Sequence, residues 1–358
     1  MKILLIGPQP QPITGLSLAN QVVMNYLPKY TDCTIDIIDT NYNVLKEDLG
    51  KFSFQKVLYY MMQYKKLYKI ISADKIYITP GQTFFGVLKY FPYLLCSKIL
   101  KKAIVIHIHG NHLWKEYKNL KGIKKKIFHK ILTMPDKGIV LSSSLRKNLL
   151  PFLPSENIYI LENFVEDFLF EDTTEKKFDK LQIIFLSNLM KEKGILDLLE
   201  ALVILKNNNI DFEAKIAGGM DSEMQTTIDY YLNQLDSHVT YLGLVYGEEK
   251  KRLLEWGNIF VFPTYYSMEG QPISNLEAMT TGNILLTTQH AGIPDVFKNE
   301  VNGFYIDIKS PTSIVDRLLN INGNLEKYQY ISKNNILEAN EKYRVKSFIK
   351  KLDTILRA

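Results

Sequence analysis

Two α/β units, each with a parallel sheet covered on both faces, are what this sequence predicts. Three observations carry the expectation. The chain has 358 residues, more than one hydrophobic core usually organises. Short runs rich in Ile, Val and Leu alternate with helical patterns at residues 2–7, 34–39, 75–79, 103–109 and 138–142, and the rhythm resumes at 182–188, 212–218, 239–245, 259–264, 283–288 and 303–307. Continuous apolar strands separated by helices read as parallel sheets. Between the two series, segment 165–180 turns acidic and then mixed in charge, with Glu171, Asp172, Thr173, Thr174, Glu175, Lys176 and Lys177 in succession, the pattern of a linker. The predicted organisation is an N-terminal unit over 1–164, a linker over 165–180, a C-terminal unit over 181–340, and a terminal helix in 341–358 that packs back on the first unit.

Taken in order, the first strand runs into Gly7-Pro8-Gln9-Pro10-Gln11-Pro12-Ile13-Thr14-Gly15 before a helical pattern over 16–27. In an open α/β sheet such a loop faces the ligand crevice at the carboxyl ends of the strands. It has neither Gly-x-Gly-x-x-Gly nor a Walker sequence. Gly15 fits either a plain connection or a close approach of backbone to ligand. The apolar stretch 84–100, interrupted by Lys89, Pro92 and Lys98, reads as a helix packed in a soluble core. His107-Ile108-His109-Gly110 ends a further strand, and alternation sends both imidazoles to one face. Two readings stand: a buried structural histidine, or a substrate contact from His109 beside Gly110. His112 adds a third imidazole, but no thiol or carboxylate completes a zinc spacing. Behind Trp114 and Tyr117, Lys115, Lys118, Lys121, Lys124, Lys125, Lys126 and Lys130 crowd one segment, which suits anionic lipid, nucleic acid or a solvated helix face.

In the second half, the strand ending at Phe185-Leu186-Ser187-Asn188 is followed by Lys191-Glu192-Lys193-Gly194 and an amphipathic pattern over 195–205. Lys193 stands where an ammonium neutralises a phosphate, or is one more solvated lysine at a helix end. Gly218-Gly219 and the stretch 288–294 with Gly292 end further strands on the same edge, so several loops converge on one crevice. Between Met268 and Met279, Glu269 and Glu277 lie eight positions apart around a loop-to-helix junction. Gly270 and Pro272 suit a turn and a helix start, and Ile273, Leu276 and Met279 have helical spacing. Glu269 is therefore expected at the mouth of the junction and Glu277 inside. First-turn amides there favour a phosphate, and a carboxylate further along accepts from ribose hydroxyls; the plainer reading is an acidic helix start. After residue 307 helical patterns run to the end, the last over 344–356.

Composition limits the classes. A formal charge of +6 and 46% hydrophobic residues are ordinary for a globular protein. Two cysteines, Cys33 and Cys96, offer no metal spacing and no disulfide framework, which favours a reducing cytoplasm. Residues 1–7 are too short for a signal-peptide core or a membrane span. Nucleic-acid binding is the least favoured class, because the basic segment has no recognisable reading motif.

Together these landmarks resemble the family 4 retaining glycosyltransferases (glycosyl transferases group 1). The residues that carry the resemblance are Glu269-Gly270-Gln271-Pro272 through Leu276-Glu277-Ala278-Met279 with Gly282, then Gly292-Ile293-Pro294-Asp295-Val296, Asn302-Gly303 and Lys193-Gly194. The resemblance implies the α/β GT-B fold, two Rossmann-like α/β/α domains facing each other across a cleft. It implies transfer of a sugar from a nucleoside diphosphate sugar to a glycan acceptor, with retention at the anomeric carbon and with no cofactor and no metal, and no Asp-x-Asp motif occurs. Glu269, Lys193 and His109 would then be the catalytic set. Asn188, Gly194, Gly218, Gly270, Gln271, Pro272, Ile273, Ser274, Glu277 and Gly15 would hold the donor, Glu277 at its ribose, and Thr14, Gly15 and His107 would face the acceptor. Two positions depart from the family: Asn188 stands where Arg is usual and Asp295 where Glu is usual, and the first removes one cation from the diphosphate clamp. The charge of Lys115, Lys118, Lys121, Lys124, Lys125 and Lys126, with the aromatic and basic stretch 59–66, suggests an anionic membrane surface, a lipid-linked acceptor of bacterial surface polysaccharide synthesis, and a place at the inner face of the cytoplasmic membrane. A nucleotide-sugar epimerase or a noncatalytic nucleotide-sugar or glycan-binding subunit is the alternative, since fold does not fix reaction.

Overall fold

In the computed structural model, which describes residues 1–42, 54–171 and 176–358, the five apolar runs of the first half become β1 (Lys2–Gly7), β2 (Thr34–Asp39), β3 (Lys75–Ile78), β4 (Ala103–Ile108) and β5 (Lys137–Val140), and a short strand that the sequence does not predict, β6 (Ile158–Ile160), follows them. They pair in parallel in the order β2-β1-β3-β4-β5-β6. The second half forms β7 (Leu181–Leu186), β8 (Phe212–Ala217), β9 (Val239–Tyr241), β10 (Ile259–Phe262), β11 (Ile284–Thr287) and β12 (Gly303–Tyr305), also parallel, ordered β12-β11-β10-β7-β8-β9. Central strands are buried on both faces, as Ile3, Leu4, Leu5 and Ile6 of β1 and Ile259 to Phe262 of β10 illustrate. Each such side chain contributes roughly 1.5–3 kcal/mol of hydrophobic stabilisation. Strand order reverses between β1 and β3 in one sheet and between β7 and β10 in the other. Loops diverge at such reversals, and ligands of open α/β sheets bind there.

The chain divides into two units: Met1–Asn163 with Met268–Gln271 and Val345–Ala358, and Phe164–Ser267 with Pro272–Arg344. The helix Val345–Arg357 packs on the helix Gly15–Tyr30 of the first unit, burying Val345, Phe348, Ile349, Leu352, Ile355 and Leu356 along one stripe. The predicted linker differs from a loose connection over its described residues, and residues 172–175 of it lie outside them. Val165, Leu169 and Phe178 enter the core of the second unit. The Lys176 ammonium donates to the carbonyls of Leu254, Glu255 and Gly257 and to Asn283 Oδ1, which ties the segment to the end of the helix Gly247–Trp256. The stretch 84–100 is two helices, Phe84–Leu88 and Phe91–Ile99, not one. Pro92 lies in the first turn of the second, where its missing N–H costs nothing; inside one continuous helix it would break a hydrogen bond.

Candidate functional site

In the second unit, the loops that follow β7 and β10 are joined at the reversal. Tyr265 N donates to Glu192 O at 2.8 Å, and Thr264 Oγ1 donates to the same carbonyl at 3.4 Å. Lys191–Lys193 make one 3-10 turn, which Gly194 ends in the left-handed region with φ 82°. A Cβ at Gly194 would sit 2.4 Å from Pro263 O, so a bare glycine backbone lets the helix Ile195–Asn207 start beneath the β10 loop. Gly218, after β8, is as constrained: its φ is 146°, and a Cβ would meet Ser187 O at 1.8 Å. Asn188 is exposed on the same edge. The Lys193 ammonium stands 4.8 Å from the ring centre of Tyr266 and 5.4 Å from that of Phe262, a cation–π geometry that holds it at the loop.

The helix Ile273–Thr280 begins at Pro272, with no side chain capping its first turn. Its N-terminal amides, including that of Ser274, suit an anion. Within this helix Glu277 is buried, and Lys250 Nζ donates to its Oε1 at 2.6 Å and to Glu166 Oε2 at 3.1 Å. Lys250 comes from the helix Gly247–Trp256 and lies 5.5 Å from the ring centre of Phe168. Burial works against this ammonium, but Glu277 and Glu166 outweigh it and raise its pKa above the ordinary lysine value. Neither Lys250 nor Glu166 is marked by any local motif, so nothing in the sequence points to this three-residue arrangement.

Glu269 and Glu277 do not share a unit. Met268–Gln271 belong to the first unit, although the second flanks them on both sides. Asn163 N donates to Gln271 Oε1 at 2.5 Å, Asn163 Nδ2 to Gln271 O at 2.7 Å, and Gln271 Nε2 to Leu141 O at 3.5 Å. A Cβ at Gly270 would sit 2.5 Å from His109 O, and one at Gly110 would sit 2.5 Å from Met268 O. Two glycines thus let the Glu269 segment lie against the end of β4. Glu269, expected at an open mouth, is buried like Glu277, because that contact closes over it.

At the end of β4, the His107 and His109 rings share a face, their centres 3.9 Å apart. His107 Nδ1 and Tyr77 Oη are hydrogen-bonded at 2.6 Å. Burial, with His109 nearby, pushes the His107 pKa well below the histidine value, and burial takes His109 down to about 3. Both rings are therefore neutral near pH 7. The Nε2 atoms of both, with Asn111 Oδ1 and His112 Nδ1, are buried with no hydrogen-bond partner. Each such atom costs roughly 1–3 kcal/mol, so a polar ligand group reaching them relieves a deficit. His107 is fully buried and held by Tyr77, whereas His109 is partly exposed, which leaves His109 as the ring better placed for a ligand. Thr14 also caps the first helix: its Oγ1 accepts from Ser17 N at 3.1 Å, and Ser17 Oγ accepts from Thr14 N at 2.8 Å. Gly15 opens the same helix, exposed at the carboxyl end of β1.

The predicted basic segment forms the helices Leu113–Asn119 and Gly122–Leu132. Lys118 lies over Trp114, Lys125 over Tyr117 and Lys124 over Phe84, at 4.6, 4.7 and 5.7 Å from the ring centres. Among the described residues no helix is long and apolar enough to cross a membrane, and no group of three or more His, Cys, Asp or Glu side chains is arranged to hold a metal ion.

The chain is similar to known glycosyltransferases. The structure of HepE from Anabaena in complex with UDP superimposes with a TM-score of 0.75 at 14% identity, covering 100% of both chains, and the fold is GT-B. Residues 168–337, a little under half of the chain, match the family described as glycosyl transferases group 1. The amylovoran biosynthesis glycosyltransferase AmsK of Erwinia amylovora is 33% identical over 128 residues, 35% of this chain and 31% of AmsK. An uncharacterized glycosyltransferase of Methanocaldococcus jannaschii is 33% identical over 171 residues, 46% of this chain and 42% of that protein. The chain thus spans less than half the length of either curated relative.

Proposed function

We propose that the protein is a retaining, metal-independent glycosyltransferase that moves a hexosyl or N-acetylhexosaminyl group from a nucleoside diphosphate sugar to a lipid-linked glycan of bacterial surface polysaccharide synthesis, on the cytoplasmic side of the membrane. The carrying observation is the Lys193-Gly194 turn beneath the β10 loop, on the same unit as the uncapped helix start at Pro272 and the Lys250-bound Glu277. Breaking the donor bond develops positive charge on the sugar ring and negative charge on the leaving phosphate. Lys193 and the first-turn amides around Ile273 and Ser274 meet the phosphate. With Asn188 in the position where the family usually has Arg, the clamp leans on those groups. Glu277 accepts from the ribose hydroxyls. Glu269 orients the donor sugar, and neutral His109 offers Nε2 to a sugar hydroxyl. The leaving phosphate takes the proton of the attacking acceptor hydroxyl on the same face, so Glu269 need not act as a base. The amylovoran role of AmsK supports the polysaccharide setting, and the HepE complex supports UDP as the nucleotide to try first.

The test is release of nucleoside diphosphate from a panel of UDP-sugars, with and without extracted lipid-linked acceptors. Acceptor-dependent release is expected, with Lys193→Ala and Glu269→Ala each lowering kcat on the order of 100-fold. Full turnover in both variants would overturn the site assignment. An altered nucleotide sugar formed from donor alone would replace transfer with epimerisation.

A further inference from the structure

The helical layer of the first unit carries a pattern that sugar transfer does not use. From β2 the chain crosses β1 to reach β3, then steps to β4 and β5 in the same direction. Right-handed crossovers put the connecting helices of such a series on one face. Their inward residues Ile70, Phe84, Leu94 and Phe128 share one core cluster with Ile76 and Ile104 of the sheet. Across the helical segments 54–71, 84–102 and 113–132 of these connections the sequence has fifteen lysines, no arginine and one carboxylate, Glu116, which accepts from Phe84 N, while Asp74 and Asp136 lie just beyond the ends of these segments. The whole chain is only +6, so the rest of the molecule is net negative and the positive charge is concentrated in this layer. Lys69 and Lys98 are paired with Asp36 and Asp136.

Exposure follows the same three segments. They hold eleven of the 23 large hydrophobic side chains exposed among the described residues, although they are only 57 of the 358 residues. Ile99 and Ile123 are 71% and 69% exposed. In the helix Gly122–Leu132, Ile123, Lys126, Ile127 and Lys130 fall at helical spacing on the outer side, while Phe128, Ile131 and Leu132 face the core. Met61 and Met62, beside Lys65, and Leu95 with Ile99 on Phe91–Ile99 repeat that mixture. A merely solvated face mixes carboxylates among its lysines and keeps large apolar groups few. Apolar side chains interleaved with lysine alone match the boundary between headgroups and acyl chains of an anionic leaflet.

We propose that this helical layer docks on an anionic phospholipid bilayer, its lysines at the headgroups and its exposed Ile, Leu and Met side chains entering the interface. Such docking serves the lipid-borne acceptor proposed above, a reading on which its purpose rests, though its charge and exposure pattern do not. Each lysine near an anionic leaflet favours binding by roughly fivefold.

The experiment is flotation of the full chain with vesicles of phosphatidylcholine and phosphatidylglycerol in about a two-to-one ratio, and with phosphatidylcholine alone. Binding is expected only to the first. Replacing Lys101, Lys121, Lys126 and Lys130 together by Gln should weaken it by roughly 600-fold. Ile99→Ser with Ile123→Ser should leave a residual attraction that salt removes. Unchanged urea midpoints in both variants show that the fold is intact. Equal binding to neutral vesicles, an unaffected lysine variant, or displacement of the vesicles by a random RNA oligonucleotide would overturn the proposal. Stabilisation by UDP, measured on the same samples, reports separately on the transferase reading: its loss with flotation intact counts against transfer, not against docking.

Discussion

Replacing Lys250 by Met keeps an unbranched apolar stem, one atom shorter, and removes the charge that two carboxylates approach at 2.6 and 3.1 Å. At an effective dielectric of about 20, a pair of unit charges some 4 Å apart attracts by ~4 kcal/mol. Desolvation cancels most of that gain, since the Lys250 side chain is 12% exposed and that of Glu277 6%. Glu166, at 32% exposure, is partly screened and adds less. The loss on substitution comes mainly from leaving Glu277 buried without a cation, and amounts to about 3 kcal/mol. Urea unfolding at pH 7 should show it as a lower midpoint at unchanged slope. The pH dependence has a definite sign. The folded pKa of Lys250 lies above its ordinary 10.5, so its contribution is complete below the unfolded value and fades only as pH rises through the folded one. The difference between parent and variant should therefore hold constant from about pH 7 to pH 9. Stabilisation by UDP should also fall in the variant, because Lys250 fixes the carboxylate assigned to the ribose. A stability change under about 0.5 kcal/mol, or a difference that closes between those two pH values, would refute the reasoning.

Three further outcomes are expected. Burial pushes the Lys176 pKa down to about 7 against 10.5 in the unfolded chain; the unfolded state then binds more protons between those values, so stability should rise with pH there by up to about 1.4 kcal/mol per unit. Lys176→Met should flatten that rise in urea midpoints taken across the interval. His109 titrates near 3 when folded and 6.5 when not, so its contribution is complete above 6.5 and is lost as pH falls toward 3; His109→Asn should resist acid better by circular dichroism while losing transfer activity. Gly194→Ala places a Cβ 2.4 Å from Pro263 O at a φ of 82°, and should cost roughly 1–3 kcal/mol in urea unfolding and weaken UDP binding.

The parallel sheets are legible because burial on both faces demands unbroken apolar runs, and Ile3 to Ile6 or Ile259 to Phe262 cannot be mistaken for solvent-facing segments. β6 escapes that test, since of Ile158, Tyr159 and Ile160 only Ile158 is buried. The loops at Lys193-Gly194 and Gly218 are legible because a strand end followed by glycine has a local backbone meaning. The Lys250–Glu277–Glu166 arrangement is not, because its members lie far apart in sequence, and Lys250 and Glu166, unlike Glu277, look like ordinary surface charges in their own neighbourhoods. The buried course of Val165, Leu169 and Phe178 is hidden for a related reason: three apolar side chains scattered among acids carry no period. The unit to which Glu269 belongs is also invisible locally, since it depends on Asn163 holding Gln271 across 108 positions.

The chain passes from one unit to the other at four peptide bonds, after Asn163, Ser267, Gln271 and Arg344. That bears on inheritance. A gene recombination with one breakpoint at Asn163 would import a foreign Met268–Gln271 strip and a foreign final helix along with the second half, while Asn163, Leu141 and the helix Gly15–Tyr30 that pack against them stayed behind. Descendants of such an exchange would begin with mismatched seams in the first unit, so the halves of this protein are expected to have diverged together, not to have been traded as cassettes.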